Sequence, residues 1–172
     1  MLSRIIPNLM IGIIALTSVA YAQSFPNPTG FVNDYTNSLS NQTVIDLESS
    51  LKDYEAKTGR EIAVAVIGDL SATTVEDYAV RLFENWQIGK KNEDNGILFL
   101  VSINDRKMRI EVGYGLEGVL TDIKAKQILD NIVRPSFKLG DYDKGVGDGV
   151  EAIIKVLNNE PLPEDIVVST RR

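Results

Sequence analysis

The sequence predicts a single α/β domain: a three-layer-like sandwich in which a mixed β-sheet carries helices on both faces. Three observations lead there. Residues 61–67 (EIAVAVI) and 96–102 (GILFLVS) are unbroken apolar runs of strand length, as expected for strands buried on both sides, and a helix-period segment lies between them. Residues 107–112 alternate apolar with charged and follow the second run after a short turn, which demands an antiparallel hairpin. A length of 172 residues, 44% apolar and 24% charged, suits one core and leaves little room for a second domain.

The elements follow in chain order. Met1 to Arg4 bears one positive charge, residues 5–19 are mostly apolar, and Ala20-Tyr21-Ala22 provides a small-x-small site, so residues 1–22 are expected to be a signal peptide cleaved after Ala22. Residues 23–38 are expected to be an extended leader, because Pro26, Pro28 and Gly30 exclude helix from its middle. The domain proper is placed at 39–158. Ser40 is suited to cap a first helix over 41–58, whose Val44, Leu47, Leu51 and Tyr54 recur at helical spacing and whose stop is Gly59. A capping box, Thr73-x-x-Glu76, opens a second helix with an apolar stripe that includes the core residue Trp86, and that helix ends near Gly89. The unit 61–102 should then be a right-handed parallel crossover. Thr121 caps a third helix that Pro135 should stop near Val133, a fourth helix covers about 144–158, and residues 159–172 form a flexible tail.

Composition removes whole reaction classes. With neither Cys nor His there is no disulfide, no thiolate nucleophile, no imidazole base and no zinc or His-ligated metal site. A pI near 4.7 argues against nucleic acid, whose phosphates are bound by Lys and Arg. Loss of Arg4 with the signal peptide leaves 17 basic against 24 acidic residues, a net charge of −7, which favours cations or basic partners. No later apolar run approaches the length of a membrane span, so no transmembrane helix is expected in the mature chain.

The topology brings Glu93-Asp94-Asn95 and the segment GYGLEGVLTD, residues 113–122, to one edge of the sheet. Asp94, Glu117 and Asp122 then stand together beside loop carbonyls, a donor set suited to calcium or magnesium. The same residues also serve as ordinary turn and capping groups, with Asp122 in the first turn of the third helix. Asp141-Tyr142-Asp143 fits neither an EF-hand loop, which needs Gly and Glu where Val146 and Ala152 stand, nor a phosphotransfer DxD, which follows a strand.

The succession Val32-Asn33-Asp34-Tyr35, Tyr54-Glu55-x-x-Thr58-Gly59, Asp94-Asn95-Gly96, Asp105-Arg106-Lys107, GYGLEG, Thr121-Asp122 and Gly140-Asp141-Tyr142 resembles the TPM domain, also called TPM phosphatase, over about residues 25–157. The resemblance implies an α/β sandwich and places the family's recurrent acids at Asp34, Asp94, Glu117, Asp122 and Asp141. Plant relatives in the thylakoid lumen are associated with acid phosphatase activity and photosystem II repair, and bacterial exported relatives resemble divalent-cation-binding modules. Two expectations follow. The first is an exported, periplasmic or secreted protein that binds Ca2+ or Mg2+ through Asp94, Glu117, Asp122 and Asp34 and acts as a cell-envelope interaction module, with an envelope or membrane protein as partner. The alternative is a metal-dependent acid phosphatase, a phosphomonoesterase in which Arg106 or Arg109 meets the phosphate.

Overall fold

A computed structural model describes residues 25–162; the signal peptide expected over 1–22 and most of the expected tail lie outside the described residues. The sheet has the order β1-β2-β3-β4, formed by Val32–Asp34, Glu61–Ile67, Gly96–Ser102 and Lys107–Val112. The first three strands are parallel and β4 returns antiparallel to β3, with Ile97 opposite Val112 and Ser102 opposite Lys107. Alternation then splits β2 between two cores: Ile62, Val64 and Val66 face one side, Ala63, Ala65 and Ile67 the other. On the first side lie α1 (Asn41–Thr58), α5 (Tyr142–Leu157) and the helical run between 122 and 138; on the second lies α2 (Val75–Trp86). This is the expected mixed sheet with helices on both faces. Because β1-α1-β2 and β2-α2-β3 step in the same direction through opposite faces, the two crossovers have opposite hands, and only one is the common right-handed form.

The leader is more structured than its prolines suggest. Its last part is β1, held by the Glu48 carboxylate, which accepts from the amides of Phe31 (3.1 Å) and Val32 (2.8 Å). Its first part is pinned to α2: the Trp86 indole N–H donates to the Pro26 carbonyl at 2.8 Å, and Phe25 meets Tyr78 edge-on at 5.1 Å. Glu48→Ala strands two amides at the edge of the core and is expected to cost about 2 kcal/mol, read as a lower urea midpoint, with Glu48→Gln retaining part of the loss.

Helix boundaries follow their caps. Ser40 accepts from the Thr43 amide, and Gly59, at φ 73, closes α1 as expected. In α2 the capping residue is Thr74 rather than Thr73, because the Thr74 hydroxyl accepts from the Asp77 amide while Thr73 donates to the Asp77 carboxylate at 2.7 Å. The helix ends at left-handed Gln87, before Gly89 is reached. Asp141 caps α5 through the Lys144 amide, so α5 begins at Tyr142, two residues before the expected start.

The largest departure is at Pro135, which does not stop the chain's helical course. After α3 (Asp122–Gln127) the backbone widens into a π-helical stretch, Ile128–Val133, and continues as α4 (Arg134–Lys138). The Arg134 amide reaches the Leu129 carbonyl, one residue further back than in an α-helix, and Pro135 falls in the first turn of α4, where a missing amide costs little. The Asp130 carboxylate braces the join by taking Lys126 at 2.6 Å and Arg134 at 2.7 Å; these hydrogen bonds hold it below the usual carboxylate range. The ends of α5 are tied to α1 and its C-terminal turn. Asp143 accepts from the Ser40 amide at 2.8 Å, which lowers its pKa, and Arg60 donates to the Leu157 carbonyl at 2.7 Å. Among the described residues no helix is long and apolar enough to cross a membrane.

Candidate functional site

The edge where β2 and β3 begin is built by backbone packed on backbone. Asn95, only 6% exposed, accepts from the Lys90 amide at 2.9 Å and donates to the Gly59 carbonyl at 2.8 Å and to the Glu93 carboxylate at 2.6 Å, so one amide side chain joins the end of α1 to the α2–β3 loop. The loop after β4 lies directly on this knot: Gly113 donates to the Gly96 carbonyl at 2.9 Å and Gly115 to the Asp94 carbonyl at 3.0 Å. A Cβ at Gly113 would run into the Asp94 carbonyl oxygen and one at Gly115 into that of Glu93, which is why this approach requires glycine at both places. Leu116 and Leu120 anchor the loop in the core, while Tyr114 is left 81% exposed. Beside it opens a groove of about 450 Å³ whose polar lining is Arg109, Glu111, Glu117, Thr121 and Asp122. Arg109 pairs with Glu111 at 3.0 Å. Near the same edge Glu61 accepts from the Gly89 amide at 2.7 Å, and burial pushes its pKa up despite that bond.

The sequence profile of the TPM domain matches residues 32–156. The chain belongs to the TPM-domain family. Three solved structures resemble this TPM domain. The N-terminal domain of a protein from P. gingivalis is 32% identical with a TM-score of 0.70, over 76% of this chain and 83% of that one. The BA42 protein of the psychrophilic bacterium Bizionia argentinensis is 24% identical with a TM-score of 0.63, over 77% and 90% of the two chains. The N-terminal domain of a Corynebacterium glutamicum protein, at 15% identity, 83% and 86% coverage and a TM-score of 0.58, shares the fold. No match is found among curated proteins.

Within this TPM domain the expected site residues separate into two groups. Asp94, Glu117 and Asp122 lie at one edge of the sheet, and Glu117 and Asp122 line the same groove. Asp94 is exposed at φ 46 in the turn that receives the Gly115 amide and is not part of the groove's lining. Asp34 stands at the opposite edge, since parallel pairing places it across from Val66 near the end of β2. Its carboxylate accepts from the Thr36 amide (2.9 Å), the Thr36 hydroxyl (2.7 Å) and the Leu39 amide (2.8 Å), the bonds of a turn. Asp141 is the α5 cap. Glu111 enters the groove without having been singled out; its signal is its place as the last acid of an alternating strand that ends at the glycine loop. Among the described residues no three acids are grouped so as to hold a metal ion, and an all-protein calcium cage therefore does not fit.

Proposed function

We propose that this TPM domain takes up a partly hydrated divalent cation, Ca2+ or Mg2+, in the groove at the GYGLEG loop, and that the ion-ordered loop presents an interaction surface in the cell envelope. The observation that carries the reading is the shared groove of Glu111, Glu117 and Asp122, with Asp94 in the turn whose carbonyl accepts from Gly115 of the same loop. One or two carboxylates with retained water suit such an ion, and an open site of this kind binds weakly, with a Kd on the order of 10⁻⁴ to 10⁻³ M. Export through residues 1–22 would bring the domain to compartments where free ions of that concentration occur. The phosphomonoesterase alternative has less support, because Arg106 lies at the far end of the β3–β4 hairpin and Arg109 is engaged by Glu111.

The test is a Ca2+ and Mg2+ titration of the metal-stripped protein followed by amide NMR. Shifts are expected at 111–122 and at Asp94, and Glu117→Gln combined with Asp122→Asn should weaken binding about tenfold or more. Arg109→Gln should strengthen it several-fold by removing the competing cation. A titration without saturable shifts in this loop would return these acids to capping and turn duty.

A further inference from the structure

A second cavity lies at the other edge of the sheet and has the opposite charge. It encloses about 520 Å³ between the β3–β4 turn and the junction of α4 with α5. This edge holds the carboxyl ends of the parallel strands, the side where α/β sheets commonly bind ligands. Four cationic side chains line it, Arg106 and Lys107 from the turn and Arg134 and Lys138 from α4, and no acidic side chain does, in a chain of net charge −6. Arg134 is held by Asp130, whereas Arg106, Lys107 and Lys138 form no ion pair among the described residues.

Arg106 is placed where turn chemistry does not ask for it. At φ 53 it occupies the left-handed position of the turn, where Gly or Asn is less strained, so the turn itself gains nothing from a guanidinium there. Apart from Ser102 and Gly140, the rest of the lining is aliphatic or aromatic. Phe137 and Tyr142, with ring centroids 5.0 Å apart, share it with Val101, Ile103 and Met108. Gly140, at φ 78, turns the chain between α4 and α5, and the position its Cβ would take is open space at the cavity mouth.

From these features we infer that the cleft binds an organic anion with an apolar body: the anionic group meets Arg106, Lys107 and Lys138, and the body lies against Met108, Phe137 and Tyr142. The volume is that of a small-molecule site. The inference is independent of the cation reading, which concerns the opposite edge of the sheet.

The test uses the aromatic sulfonate 8-anilinonaphthalene-1-sulfonate as the probe, titrated into the full protein by fluorescence. A single saturable site is expected, weakened in roughly half-molar salt as screening of the cations requires. Arg106→Gly should bind about fivefold more weakly while its thermal stability is kept or raised, since glycine suits φ 53; Lys138→Glu should weaken binding at least as much. Lys52→Glu, on α1, should match the wild type. Decanoate should displace the probe at concentrations where inorganic phosphate does not. Wild-type affinity in Arg106→Gly and Lys138→Glu, or the lack of a saturable site, would overturn the assignment, and equal displacement by phosphate would overturn the apolar half of it.

Discussion

Phe99→Ala is expected to lower the unfolding free energy by about 3–5 kcal/mol, the range for deleting a fully buried aromatic ring. Phe99 is 0% exposed at the centre of β3, paired with Val64 on one side and Ile110 on the other. Its ring reaches α5 where that helix has no side chain. A Cβ at Gly149 would lie 2.9 Å from the Phe99 ring and 2.9 Å from a Val133 methyl, so ring, helix and π-helical stretch are fitted together at this point. Alanine would open a void that α5 cannot fill without moving relative to the sheet. Urea unfolding followed by circular dichroism measures the loss, with an unchanged slope if the denatured chain is unaffected. A loss below about 1 kcal/mol would mean that α5 collapses freely onto the sheet.

Asn95→Ala is expected to cost about 3 kcal/mol, because three hydrogen bonds disappear and the Lys90 amide and Gly59 carbonyl lose their partner at a crowded edge. Asn95→Asp keeps the shape and the acceptor for Lys90, yet turns a carboxylate towards the Gly59 carbonyl and the Glu93 carboxylate, so its cost should be similar. Denaturant midpoints give the energy, and faster hydrogen exchange at Gly113 and Gly115 would show that the loop lying on the knot loosens with it. Under the proposed function, the same two variants should bind Ca2+ and Mg2+ more weakly, although neither side chain lines the groove.

Local chemistry and periodicity determined most of the elements in advance. EIAVAVI and GILFLVS are too apolar to lie anywhere but between two layers, and KMRIEV, a short turn away, has only an antiparallel course open to it. The Ser40 cap, the Gly59 stop and the meeting of the GYGLEG loop with the Asp94 turn are of the same kind, because turn lengths and strand directions leave few alternatives. The tertiary structure alone decided the rest. Asp34 went to the far edge because β1 pairs parallel to β2, a choice that a three-residue strand does not announce. The helical course passed Pro135 because packing against α5 and the Asp130 ion pairs support a widened turn that no local propensity favours. The acidic groove and the basic cleft each draw on segments remote in sequence, Arg109 with Asp122 in one and Val101 with Tyr142 in the other. Secondary structure is set by neighbours along the chain, but a concave site is a relation between elements, settled only when burial of the apolar faces fixes how they meet.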